Sequence, residues 1–213
     1  MKKFASRFTA LICTAVCALQ LASCSKKDGN TEVRKYKGIK FETNLDEPEM
    51  GEYTVSDIGT KLYYSPDEFP PELISALEKY FISFSQSDYD SYLESVYPDY
   101  VTEMNKYLKK DYGYELDQSF AGQCENLKNN AGGEFKVTRI KAELPEEDGS
   151  EEHLDILGEI FGTDFYESVK KDCDKIYDMQ FYVMAEVDGK ESMLISEYEI
   201  VFAEKDGKFY TFG

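Results

Sequence analysis

The chain has 213 residues, of which 42% are apolar and 15% aromatic, a composition that can form a packed globular core. Residues 41–213 contain 15 basic and 40 acidic residues, which is a formal charge of −25. This excess of acid argues against a nucleic-acid partner, because phosphate binding depends on clustered lysine and arginine.

The beginning of the chain has the pattern of an export signal. A short basic start precedes an apolar run over 8–22, which is shorter than the roughly 20 residues of a membrane-spanning helix. The run ends in Leu21-Ala22-Ser23-Cys24, which resembles the lipobox of bacterial lipoproteins. The resemblance implies that residues 1–23 are removed and that Cys24 carries a lipid. The rest of the protein would then face outside the cytoplasm, anchored to the bacterial cell membrane.

Residues 24–60 are predicted to be a tether, with a short strand near 39–41, and residues 61–213 a single domain. Within the tether, residues 25–40 hold six basic residues against two acidic ones. These charges suit attraction to an anionic envelope surface, but the simpler interpretation is an ordinary solvated spacer.

Four helices are predicted in the first part of the domain. Pro70-Pro71 opens the first, and Ser87-Asp88-Tyr89-Asp90 has the pattern of a capping box for the second. Pro98 suits the first turn of the third, and Asn129-Asn130-Ala131-Gly132-Gly133 ends the fourth. One apolar face of the first helix has helical spacing and comprises Leu73, Leu77, Phe81 and Phe84.

A strand is predicted after the fourth helix. Phe135 and Val137 share one phase of the apolar alternation, whereas Ile140 belongs to the other phase. This change of phase predicts a β-bulge near Arg139.

The chain is predicted to end in helices followed by strands. Two helical patterns lie on either side of Gly162-Thr163. Alternating apolar residues from Met179 onward, interrupted by Asp188-Gly189 and Asp206-Gly207, then predict a three-strand antiparallel meander. Together these elements predict an α+β fold in which N-terminal helices pack on one face of a curved antiparallel sheet.

The order of elements over about 70–213 resembles the cone-shaped domains of the nuclear-transport-factor-two-like and cystatin-like group. The closing Asp206-Gly207-Lys208-Phe209-Tyr210 is similar to the final hairpin of that group. The group contains enzymes, ligand binders and interaction modules, so the resemblance implies a cone-like shape without choosing among these functions. This chain departs from the pattern by an additional helical insert that contains Cys173.

Two cysteines, Cys124 and Cys173, remain after the signal and the anchor are set aside. In an oxidising compartment they could form a disulfide that closes a loop of about 50 residues. Alternatively they are two buried thiols that act as small apolar residues.

Metal and catalytic motifs are not indicated. The single histidine, His153, cannot build a multi-histidine metal site, and we interpret it as a solvated surface residue. The acidic segments before Gly149 and Gly189 lack the ligand spacing of a calcium-binding EF-hand loop. We therefore predict no metal, no other cofactor and no catalytic residues.

Two surfaces are candidates for binding. Tyr92, Tyr97 and Tyr100 lie where they could line a cavity inside the cone, although aromatic packing also explains them. Ile176, Tyr182 and Met184 share the outward phase of a strand and could form a partner or dimer surface, unless the tether or the extra helix covers them.

These observations predict a non-catalytic, lipid-anchored domain that docks a protein, a second copy of itself or an envelope component. This function expects a filled interior. The alternative is a small-ligand-binding or isomerase-like domain, which expects a cavity of about 300 Å³ or more.

Overall fold

The computed structural model describes residues 50–213. The predicted signal peptide, Cys24, residues 25–49 of the tether and the predicted strand at 39–41 lie outside the described residues. Within 50–213 the helices are α1 Pro71–Gln86, α2 Tyr89–Ser95, α3 Pro98–Asp111, α4 Leu116–Ala131, α5 Ser150–Phe161 and α6 Phe165–Asp172. The strands are β1 Thr54–Val55, β2 Lys61–Tyr63, β3 Lys136–Glu143, β4 Lys175–Val187, β5 Lys190–Lys205 and β6 Lys208–Thr211. None of these helices is long and apolar enough to cross a membrane.

The six strands form one curled sheet in the order β1-β2-β3-β4-β5-β6. Neighbouring strands are antiparallel except β2 and β3, which run parallel; such a pairing needs a long crossover connection, and the four helices α1–α4 supply it. The predicted α+β fold, with helices on a curved sheet that ends in a meander, is confirmed. Strand β1, at Thr54–Val55, lies within the range predicted as tether and pairs with β2.

Tight turns join the strands of the meander. Asp188 and Gly189 have φ angles of 51° and 75°, and Asp206 and Gly207 have φ angles of 53° and 71°. Positive φ at both central residues matches the right-handed twist of the flanking strands, which is why Asp-Gly is favoured there. The bulge predicted near Arg139 is confirmed, because the register between β3 and β4 shifts between Val137 and Arg139.

The predicted capping box of α2 is wrong in its first residue. Ser87 ends α1 in the left-handed conformation, with a φ of 54°, and its N–H donates to Phe84 and Ser83 carbonyls. Asp88 is therefore the N-cap of α2, and its carboxylate accepts the Ser91 N–H at 3.1 Å. Because the link between α1 and α2 is short, the C-cap of α1 and the N-cap of α2 are consecutive residues, Ser87 and Asp88.

One hydrophobic core spans the described residues from Leu62 to Phe212. It includes the apolar face predicted for α1, whose four residues are all at most 5% exposed. Helix α1 contacts β3, β6, α2 and α4, so it is the central helix of the packing. The described residues 50–213 thus share one sheet and one core, and we expect them to fold on their own.

Candidate ligand-binding cavity

A cavity of about 410 Å³ lies between the helices and the curled sheet. Within the described residues, β6 pairs with positions 202–205 of β5, and positions of β5 between 194 and 200 form one wall of the cavity. Side chains of α1, α3, α4 and α5 form the other walls. The cavity therefore lies beside the part of β5 that does not pair with β6.

Most of the cavity wall is apolar. The aliphatic and thioether side chains in it come from four elements and are Met104, Leu108, Leu127, Leu157, Ile160, Leu194, Ile195 and Ile200. The phenylalanine rings in it are Phe81, Phe84, Phe181 and Phe212. A wall of this composition, with a few polar groups directed inward, is typical of small-molecule sites.

Four tyrosines place polar groups in the cavity wall: Tyr80 on α1, Tyr100 and Tyr107 on α3, and Tyr198 on β5. Burial raises the pKa of Tyr80 and Tyr100 well above the usual value. Electrostatic interactions with Tyr100 and Tyr198 raise the pKa of Tyr80 further. Tyr80 is thus close to both Tyr100 and Tyr198. Because Tyr80 and Tyr100 stay protonated at neutral pH, both can donate hydrogen bonds to a ligand.

His153 lines the cavity and is only 6% exposed, so the prediction of a solvated surface histidine is wrong. Burial lowers the pKa of its imidazole to about 4, which keeps the ring neutral at physiological pH. Its spacing could have revealed this position, because His153, Leu157 and Ile160 follow at intervals of four and three and share one face of α5.

The three tyrosines predicted to line a pocket occupy different environments. Tyr100 lines the cavity, whereas Tyr92 and Tyr97 do not appear in its wall. Tyr92 is 1% exposed and packs among aromatic rings, including that of Phe120 at 4.7 Å between centroids. The Tyr97 hydroxyl accepts a hydrogen bond from Lys205 at 3.4 Å. The structure thus retains one of the three predicted residues in the candidate site.

Ile176, Tyr182 and Met184, the predicted partner surface, are all half-buried. The neighbours of Tyr182 and Met184 on β3 are Lys141 and Arg139, both charged. The Lys141 ammonium lies 5.4 Å from the centre of the Tyr182 ring. Burial and a hydrogen bond with Glu143 raise the Tyr182 pKa to about 12. These charged groups divide the predicted stripe, which is therefore not a continuous apolar patch.

Cys124 and Cys173 are both free thiols in the structure. Cys124 is buried in α4, and Cys173 follows α6 with its sulfur 3.8 Å from the Tyr97 hydroxyl. Burial raises the pKa of both thiols, which disfavours the reactive thiolate. The structure therefore has two separate thiols, of which Cys124 is buried as the second alternative expects and Cys173 is only half-buried.

Asp178 is a buried carboxylate on β4, close to the cavity residue Glu199. It is 7% exposed, and one of its oxygens accepts the Gly149 N–H at 2.6 Å. Its other oxygen, Oδ1, has no hydrogen-bond partner among the described residues. Burial raises the Asp178 pKa to about 6, and repulsion from Glu199 and Asp148 adds to this increase.

His153 and Asp178 are expected to have opposite effects on the pH dependence of stability. The folded-state pKa of Asp178, about 6, exceeds its ordinary 3.8, so its contribution to stability falls as the pH rises through this interval. The folded-state pKa of His153, about 4, lies below its ordinary 6.5, so its contribution rises with pH over that interval. In the parent protein the two trends largely cancel.

In a variant that lacks either Asp178 or His153, the pH dependence of stability caused by the other residue should become visible. Relative to the parent, we expect the stability of Asp178→Asn to rise by an additional ~2–3 kcal/mol between about pH 4 and 6. His153→Gln should show the opposite difference. Urea denaturation across this range measures both slopes, and constant losses from altered packing do not affect them. Profiles parallel to that of the parent would contradict both shifts.

Within residues 50–213, no three His, Cys, Asp or Glu side chains lie close enough together to hold a metal ion. Comparisons of the chain with protein-family models, with curated proteins and with solved structures found no match. The fold class and the cavity therefore define the chain as an α+β domain with an internal, mainly apolar site.

Proposed function

We propose that this domain binds a small, mostly apolar molecule in the cavity between its helices and its sheet. The cavity volume of about 410 Å³ is the observation that carries the proposal. It lies within the range of known ligand sites, and burial of an apolar ligand against its wall is favourable. The protonated hydroxyls of Tyr80 and Tyr100 would orient the ligand by donating hydrogen bonds.

The cavity favours ligand binding over the docking function. A docking module would have a filled interior and an exposed apolar outer face. Instead the interior is open, and Tyr182 is half-buried beside Lys141. No feature of the wall requires a reaction, because binding needs only the apolar surface and the hydroxyl donors.

We further propose that the domain is exported and anchored through lipid on Cys24, with the ligand site outside the cytoplasm. The lipobox-like Leu21-Ala22-Ser23-Cys24 supports this placement. In bacterial cells, Cys24→Ala should abolish lipid labelling. The variant should also no longer be found as the processed protein that detergent extracts from membranes. Unchanged labelling with a radioactive fatty acid would disprove the anchor.

Binding of the neutral fluorophore N-phenyl-1-naphthylamine to residues 50–213 tests the ligand site. The fluorescence should increase on binding and reach saturation. Leu127→Trp on α4 and Ile160→Trp on α5 each enlarge a half-buried side chain of the wall, and each should weaken binding at least about tenfold, which is about 1.4 kcal/mol. Two variants on different helices guard against the misfolding of one.

Ile156→Trp is the matched control. Ile156 lies on the same helix as Ile160 and is also half-buried, but it is not part of the cavity wall. Its variant should bind the fluorophore like the parent. Absence of saturable binding to the parent would overturn the proposed function, and so would equal binding by all three tryptophan variants and the parent.

A further inference from the structure

The cavity wall has an unequal charge inventory. Among the described residues that line it, Glu199 has the only acidic side chain, and no lysine or arginine is present. His153 adds no positive charge, because its imidazole is neutral at physiological pH. A carboxylate or phosphate group on a ligand would thus enter an apolar site without a cation to pair with it, and burial of an unpaired charge is costly.

A second acidic group strengthens the negative potential beside Glu199. Glu199 lies opposite Gln180 in the pairing of β4 and β5, two positions along β4 from Asp178. The two carboxylates interact, since Glu199 contributes to the raised pKa of Asp178. A positively charged group on this side of the cavity would be attracted by the two acidic side chains, and a negatively charged one would be repelled.

The remainder of the wall suits an organic cation in particular. The rings of Phe181 and Tyr198 lie 6.0 Å apart, and those of Tyr80 and Phe84 lie 5.0 Å apart, all in the cavity wall. The faces of such rings carry negative electrostatic potential and attract ammonium groups. An inorganic cation would not benefit from the aliphatic part of the wall.

We propose that the cavity selects an amphiphilic organic cation, whose apolar body packs against the aromatic and aliphatic wall and whose ammonium group lies near Glu199. This inference rests on the proposed ligand-binding function and names its ligand class. The acidic body of the domain, with a formal charge of −25 over residues 41–213, would raise the local concentration of such cations.

Three probes with the same ten-carbon chain test the inference: decyltrimethylammonium, decanol and decanoate. Each is titrated below its micelle-forming concentration against residues 50–213 that hold N-phenyl-1-naphthylamine. At pH 7.5 and low salt, the ammonium probe should displace the fluorophore at least about tenfold more effectively than decanol. Decanoate should be the weakest of the three, because its carboxylate is repelled.

Glu199→Gln should reduce the affinity for decyltrimethylammonium about tenfold and leave that for decanol within about twofold. Glu197→Gln is the matched control, since it removes the same charge from an exposed position of the same strand, outside the cavity wall. That variant should retain the preference for the cation. Thermal unfolding of both variants verifies that they are folded.

The possible results separate the two proposals. Equal or tighter binding of decanol or decanoate, or a cation preference that persists in Glu199→Gln, would overturn the inference and leave the ligand site intact. If none of the three probes displaces the fluorophore, the inference is also overturned. The proposed function itself is rejected only when the fluorophore fails to bind or ignores the wall variants.

Discussion

Tyr92→Ala is expected to lower the free energy of unfolding by about 3–5 kcal/mol, the range found when large buried aromatic side chains are truncated. Tyr92 is 1% exposed and lies in α2 between α1 and α4. Its ring contacts those of Tyr80, Phe84 and Phe120, with centroids 5.9, 5.5 and 4.7 Å away. Removing the ring would leave a hole that these helices cannot close without moving.

Chemical denaturation of residues 50–213 measures this loss, and Tyr112→Ala provides the comparison. Tyr112 is 40% exposed at the end of α3, so its truncation should cost less than about 1 kcal/mol. Similar losses for the two variants would mean that the Tyr92 ring does not support the core. Because Tyr92 is adjacent to the cavity residue Tyr80, reduced fluorophore binding by Tyr92→Ala would follow from instability and would not identify a ligand contact.

Local patterns predicted the elements of this fold well. The apolar spacing on α1, Pro98 at the start of α3 and the two Asp-Gly turns depend on residues close in sequence, and each is present as expected. The phase change at Arg139 likewise revealed the bulge, since it depends only on alternation along one strand. Such features follow from backbone geometry and local burial, which a single sequence expresses directly.

The candidate site was harder to predict because it depends on distant pairings. The cavity exists where β6 ends beside β5 and where α5, from the insert before the meander, packs opposite α3. Neither the length of β6 nor the position of α5 against the sheet can be predicted from the apolar pattern of residues close in sequence. For this reason the sequence did not indicate Tyr80, Tyr198 and Glu199 as cavity residues. They belong to two elements, α1 and β5, that are more than a hundred positions apart in the sequence.

The parallel pairing of β2 with β3 was also not predicted. Leu62 pairs with Ile140, and all four helices α1–α4 lie between these two residues in sequence. The short β2 has too few residues for its alternation to indicate a partner or a direction. It extends the sheet beyond the predicted strands.

Gly158→Ala is expected to destabilise the domain by about 1–3 kcal/mol, a typical cost of overpacking, although alanine favours helices over glycine by about 1 kcal/mol. An added Cβ at Gly158 would lie 2.8 Å from the Thr163 carbonyl oxygen and 3.3 Å from the Phe165 backbone nitrogen. Both contacts are with backbone atoms, which cannot rotate away. The steric cost should therefore exceed the gain in helix propensity.

Gly122→Ala, in α4, should have the opposite effect, a stabilisation of about 0.5–1 kcal/mol, because a Cβ there meets no atom within 4 Å. The same substitution in two helices thus separates propensity from packing, and equal changes in thermal or urea unfolding would contradict the close approach at Gly158. Since Leu157 and Ile160 of α5 line the cavity, displacing the α5–α6 junction should also weaken fluorophore binding. Gly122→Ala should leave that binding unchanged, which would tie the ligand site to the backbone contact that positions α5.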